Sequence, residues 1–217
     1  MKKFSDRFVA GKVLAKKLQG YLKEPDTIVL ALPRGGVPVA YEIAKRLSLP
    51  LDVFIVRKLG VPGQEELAMG AIASGGKVIF NKEIKTNLQL SEEVINEVIQ
   101  KETLELKRRE AIYRHNKPSL QLKNKKIILV DDGIATGASV RVAINVLRQA
   151  APHEIIIAVP VIAMDTYKEL VTKAHHFIAL LKPIHFYAVG LWYDDFNPIR
   201  DEEVARLLDD SVAYYSK

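Results

Sequence analysis

Residues Ile127-Ile128-Leu129-Val130 run directly into Asp131-Asp132, and these into Gly133-Ile134-Ala135-Thr136-Gly137-Ala138-Ser139. The four apolar residues are too few and too β-branched for a helix and read as a buried strand. From Val140 to Gln149 the apolar residues return at helical spacing. Strand, acidic pair, small-residue loop and helix therefore follow one another in a single unit. In an open α/β sheet, ligands bind outside the carboxyl ends of the strands. A loop of small residues can turn its N–H groups toward a phosphate, and the helix behind it adds the positive end of a dipole. Carboxylates repel phosphate but accept from hydroxyls or approach a metal. A site that needs both halves is a sugar-phosphate site. Asp-Gly also favours tight hairpin turns, but the helical periodicity that follows excludes a hairpin. No G-x-G-x-x-G is present to suggest a dinucleotide.

Residues 127–139 resemble the phosphoribosyl-pyrophosphate (PRPP) signature of type I phosphoribosyltransferases: an apolar strand, two acidic residues and a Thr/Gly-rich loop ending in Ser or Thr. The resemblance implies that Asp131 and Asp132 bind the ribose 2′- and 3′-hydroxyls and are the catalytic carboxylates. It implies that Ala135, Thr136, Gly137, Ala138 and Ser139 bind the 5′-phosphate. Mg²⁺ is the implied cofactor, bridging pyrophosphate and ribose oxygens, with Asp131 and Asp132 indirect contributors to its shell.

A second loop, Leu32-Pro33-Arg34-Gly35-Gly36, also follows an apolar strand (Thr27 to Leu32) and opens a helix that ends near Leu47. Two glycines allow close approach of backbone to ligand, and Arg34 offers a permanently charged donor fork. The loop resembles the family's pyrophosphate loop, which carries a non-proline cis peptide; by position that bond is Pro33–Arg34. Arg57-Lys58, at the end of the next strand, matches a place where several members carry basic residues. The resemblance thus implies Arg34, Gly35, Gly36, Arg57 and Lys58 as the pyrophosphate set; a solvated pair after an edge is the other reading of Arg57-Lys58.

Near the C-terminus, Ala188 to Phe196 is aromatic and holds the single Trp. The run resembles the hood of purine salvage transferases, where Val-Gly precedes an aromatic region and an Arg-Asp pair, here Arg200-Asp201. Trp192 and Tyr193 become the acceptor-binding residues; packing of the last helix is the competing role for these rings. Those enzymes place a Lys just before Val-Gly. Here His185 and Phe186 stand there and the nearest Lys is Lys182, a departure from the 6-oxopurine pattern. The family also places a mobile loop between Lys58 and the PRPP strand, either at Gly60–Glu66 or around Asn81–Gln89.

The 217 residues, 48% hydrophobic, suffice for one domain with a full core. The expected fold is a doubly wound, mainly parallel α/β sheet flanked by helices, over residues 1–217, with a hood element at about 182–200. The pattern predicts helices over residues 6–22, 91–115 and 165–173, and a short last helix over 201–208. It predicts strands over 51–56, 154–161 and 176–181, and a β excursion between Leu67 and Phe80 with a Gly75-Gly76 turn. Cysteine is absent, which excludes disulfides and thiolate chemistry and fits a reducing cytoplasm. The first residues have charge but no long apolar run, and no apolar run approaches ~18 residues, so neither a secretory signal nor a membrane span is expected. Five His, two of them adjacent at 175–176, show no metal-ligand spacing. The net charge of +6 suits an anionic substrate and equally a nucleic acid.

The resemblance covers most of the chain and lies nearest a bacterial group of predicted phosphoribosyltransferases with the Arg57–Gly63 and Glu66–Ala73 runs. The implied reaction displaces pyrophosphate from PRPP by a nitrogen acceptor of nucleobase type, in a cytoplasmic protein that permits a homodimer and has no membrane partner. The rival reading is a PRPP-sensing, nucleic-acid-binding regulator of the same fold, using Lys107-Arg108-Arg109 and Arg114-His115; a solvated face is the plainer reading of that run. A phosphoribosyl-related hydrolase is a third.

Overall fold

The computed structural model describes residues 3–81, 91–115 and 120–215. A five-stranded sheet is built from β1 (Thr27–Ala31), β2 (Leu51–Val53), β6 (Lys126–Val130), β7 (Glu154–Val161) and β8 (His176–Leu181), in the order β2-β1-β6-β7-β8. Every pair is parallel. Parallel strands are covered on both faces and so read as continuous apolar runs. Alternate residues serve opposite faces: Ile128 and Val130 join one core cluster, Ile127 and Leu129 the other. The first face is covered by α1 (Arg7–Lys17), α2 (Gly36–Leu47) and α6 (Asp201–Tyr215), the second by α4 (Ala138–Gln149) and α5 (Met164–Leu170). The chain leaves β1 in one direction to make β2 and returns on its other side as β6. The order therefore reverses between β1 and β6, where a crevice opens at the carboxyl ends.

The excursion after β2 is an antiparallel meander of β3 (Val56–Val61), β4 (Gln64–Ala73) and β5 (Lys77–Phe80). The apolar stretch expected as one strand over 51–56 is thus divided: β2 ends at Val53 and β3 starts at Val56. The Gly75-Gly76 turn forms with φ of 83° and 73°. Helix α3 (Glu92–Arg114) begins where Ser91 accepts from the Val94 N–H and ends at His115 in the left-handed region. The first helix is shorter than expected, stopping at Lys17 before a single 3-10 turn. The last is longer than expected: α6 runs to Tyr215, not Leu208. Its extra turns are held by α2, where Tyr214 meets Tyr41 edge-on at 5.9 Å with a hydroxyl-to-hydroxyl hydrogen bond of 3.0 Å. Local pattern cannot see that contact.

Candidate active site

The crevice at the reversal point brings together the two loops singled out in the sequence. Gly137, with φ +74°, turns the chain from β6 into α4. Two carbonyls of this loop are held from behind: Thr166 Oγ1 donates to Ala135 O at 2.6 Å and Arg141 Nη1 to Thr136 O at 2.7 Å. Arg141 is itself clamped by Glu169 at 2.8 and 2.9 Å. In a planar trans peptide N–H and C=O point oppositely, so the Thr136 and Gly137 N–H groups face the other way. There, Asp131, Gly133 to Val140 and Val189 line an open concavity of about 190 Å³. The unpaired N–H groups of the first turn of α4 join them. Ala135, Thr136, Gly137, Ala138 and Ser139 thus lie together around one concave nest.

Asp131 and Asp132 stand at its rim. Asp131 Oδ1 accepts from the Asp132 N–H at 2.9 Å. Burial first, and the Asp132 charge second, push the Asp131 carboxyl well above the ordinary carboxylate range. Asp132 Oδ2 accepts from Arg7 Nε at 2.8 Å. Tyr193 donates its hydroxyl to Asp132 O at 2.5 Å, and its own pKa is raised by burial and by the Asp132 charge.

The 33–36 loop lies against the same pair, with a cis Pro33–Arg34 bond at the expected position. A Cβ built on Gly35 falls 2.0 Å from Asp132 Oδ2, so only glycine admits this approach. Arg34 is half exposed and faces Asp201 at 3.6 Å. Asp201 is also gripped by Tyr113 through a 2.5 Å hydrogen bond and approached by Arg108 at 3.8 Å. The Arg200-Asp201 pair therefore acts through Asp201, beside the loop arginine.

Other expected residues lie elsewhere. Arg57 pairs with Glu102 of α3 at 2.6 Å and, with Lys58, lines a separate concavity containing no residue of the 32–36 loop. Its charge is answered by Glu102 of α3. Trp192 and Tyr193 are 4% and 3% exposed and pack with Ala10 and Val161. Trp192 stacks on Phe186 at 6.4 Å. The acceptor reading of these two rings gives way to the packing one, because covered rings offer no face to a base. The large exposed apolar residues of the hood are Ile184, Tyr187 and Leu191, and Val189 is its residue at the nest. Arg108 and Arg109 both bind Glu105, whose carboxyl they hold down at about 2. Of the mobile-loop candidates, residues 60–66 form the β3–β4 turn; 82–90 lie outside the described residues. Sequence reading missed Arg7, Arg141, Thr166 and Glu169: Arg7, Thr166 and Glu169 act on residues brought near by folding, and Arg141, five positions from Thr136, reads locally as an ordinary helix cation.

No cluster among the described residues could hold a metal ion by itself. Two carboxylates suit a cation that arrives with phosphate oxygens, the usual manner of Mg²⁺. No helix among them is long and apolar enough to cross a membrane.

Fold and site together define a doubly wound α/β protein with a small-residue nest and an acidic pair at its switch point. The sequence pattern of the phosphoribosyl transferase domain matches residues 7–187, and the chain belongs to that family. A Mycobacterium tuberculosis protein named provisionally as a phosphoribosyl transferase is 41% identical over 209 residues, covering 96% of this chain and 47% of that protein. The chain thus spans about half the length of that relative. A crystal structure of a Thermus thermophilus protein is 38% identical, covers 97% of this chain and 99% of that one, and superposes with a TM-score of 0.84.

Proposed function

We propose that the protein transfers ribose 5-phosphate from PRPP to a nitrogen acceptor of nucleobase type, releasing pyrophosphate. The observation that carries this is the nest of residues 135–139 beside an acidic pair, with the Arg34 loop packed on the same carboxylates. The nest takes the 5′-phosphate through backbone N–H groups. Asp131 and Asp132 take the ribose hydroxyls, and Arg34 with the Gly35-Gly36 backbone takes the pyrophosphate. Positive charge develops on the ribose and negative charge on the departing pyrophosphate, so the chain works by positioning and by fixed charge. Asp131 and Asp132 are the residues that would hold Mg²⁺ if it arrived with the substrate, and it would supply charge neutralisation for the leaving group. The acceptor meets the hood, where Val189 lines the nest and Tyr187 is an exposed ring. The basic run on α3 is tied to Glu105 and Asp201, which favours transferase over nucleic-acid regulator.

The test is pyrophosphate release from PRPP and Mg²⁺ across a panel of nucleobases. Release dependent on one base class supports the reading. Silence across the panel, with tight and salt-sensitive RNA or DNA binding, overturns it.

A further inference from the structure

The acidic pair is held by a residue 125 positions away in sequence. Phe4 N donates to Trp192 O at 2.9 Å, while Asp194 N and Asp195 N donate to the carbonyls of Phe4 and Ser5 at 2.8 and 2.9 Å. This strap lays the N-terminal segment along the hood. Asp6 then caps α1 by accepting from the Val9 N–H at 2.7 Å. Arg7, the first residue of the helix, is delivered to the crevice at a fixed angle. Its Nε donates to Asp132 Oδ2 at 2.8 Å, its Nη1 to Asn197 O at 2.9 Å, and its guanidinium lies 3.8 Å from the centre of the Phe196 ring. The Arg7 and Asp132 side chains are 8% and 13% exposed.

Each carboxylate thereby has one oxygen committed: Asp131 Oδ1 to the Asp132 N–H and Asp132 Oδ2 to Arg7. No N–H group among the described residues is hydrogen-bonded to Asp131 Oδ2 or Asp132 Oδ1. The two carboxyls also lie within hydrogen-bonding reach of each other, so the way Asp132 is turned decides which oxygens the pair offers to hydroxyls. The terminal torsion of an aspartate is broad and roughly twofold, so an unheld Asp132 would present no fixed lone pair. A planar guanidinium, itself pinned at a carbonyl and a ring, removes that freedom. Such support separates a site that is merely present from one with the required geometry.

We infer that Arg7 is a positioning residue: acting through Asp132, it sets the acceptor geometry by which the acidic pair reads the sugar hydroxyls, and so distinguishes ribose from 2-deoxyribose. The inference rests on the sugar-phosphate reading above. It makes the N-terminal strap one wall of the sugar subsite. Among the described residues Arg7 makes no hydrogen bond to residues 135–139, which are held by Arg141 and Thr166.

Calorimetric titration of the wild type and Arg7→Met with inorganic phosphate, ribose 5-phosphate and 2-deoxyribose 5-phosphate tests this without any acceptor. A hydrogen bond to a charged group should let the wild type prefer ribose 5-phosphate by about tenfold or more. Arg7→Met should bring that preference to within about twofold, with inorganic phosphate binding unchanged. A folded variant that keeps the preference overturns the inference. So does uniform weakening of all three ligands, the mark of a purely structural ion pair. Should Arg7→Met not fold, Arg7→Lys carries the test. A compact ammonium keeps the charge but loses the planar fork, so the preference must fall at least about threefold; an unchanged preference overturns the inference. A wild type that binds both sugars equally overturns it while leaving phosphate recognition standing. A wild type that binds none of the three removes the sugar-phosphate reading and this inference with it.

Discussion

Gly137 and Asp131 show how much one position can carry in this crevice. At Gly137 the left-handed φ of +74° turns the nest, and a Cβ there would meet Thr166 Cγ2 at 2.8 Å and Leu170 Cδ1 at 2.9 Å. Gly137→Val should therefore lose phosphate binding by at least about tenfold and cost ~1–2 kcal/mol from backbone conformation alone, measured by titration and by denaturant midpoint. Asp131 makes a pH prediction. Its folded-state pKa lies above the unfolded value of 3.8, so between the two the folded state binds more protons. Stability then falls as pH rises through that window, and the loss is complete above the folded pKa. Asp131→Asn should raise Tm at about neutral pH and flatten its pH dependence, while losing sugar binding. A Tm of Asp131→Asn that stays below wild type across the window would contradict this. In the hood, buried Trp192→Ala should cost ~3–5 kcal/mol by opening a cavity. Exposed Tyr187→Ala should leave Tm near wild type and weaken the acceptor by roughly tenfold, the scale of one base–aromatic stack. The reverse pattern would return the acceptor role to Trp192.

Among the elements, α3 is the one whose purpose is decided by its partners. Its apolar spacing and its Ser91 cap are legible locally, but its charges read only as a basic run. In the folded protein Arg114 makes a bidentate contact with Asp52 of β2, at 3.0 and 3.1 Å and with both side chains mostly buried. Glu102 receives Arg57 of β3, and Tyr113 holds Asp201 at the start of α6. The helix thus ties an edge strand, the meander and the last helix together beside the Arg34 loop. Removing one member of a buried pair strands the other, so Arg114→Met should cost ~3–5 kcal/mol. Arg108→Ala, half exposed, should cost no more than ~1 kcal/mol. Urea midpoints compare the two; equal costs would deny α3 this anchoring role. Strand order was not legible in the same way. Apolar runs announce parallel strands, but nothing in them says that β6 lies beside β1.

At the scale of the whole molecule, the net charge of +6 is not gathered on one exposed face of α3. Two of its arginines are spent on Glu105, and one of these also approaches Asp201. A protein whose switch-point crevice takes sugar phosphates should be stabilised by them through mass action, by RT ln(1 + [L]/Kd). Ribose 5-phosphate or PRPP with Mg²⁺ at about a hundred times Kd should add ~2.7 kcal/mol of stability. The Tm rise should vanish in Gly137→Val and persist in a Lys107→Glu, Arg108→Glu variant. A rise that depended on Lys107 and Arg108 would instead place the anion on α3.

The sequence by itself determined the βα units, the small-residue loop of residues 133–139, the acidic pair and the 33–36 loop. Each is a short contiguous segment whose chemistry and periodicity are complete within about a dozen residues. It also determined where Ser91 would start a helix, because a cap is a local bond. Tertiary structure alone decided that Arg7 reaches Asp132, that Arg141 and Thr166 hold the nest, that Arg57 turns to Glu102 and that Trp192 is buried. Those outcomes depend on which segments meet, as when Arg7 reaches Asp132 across 125 positions or Thr166 reaches Ala135 across 31. No pattern of neighbours along the chain encodes a contact whose partner is supplied by another element.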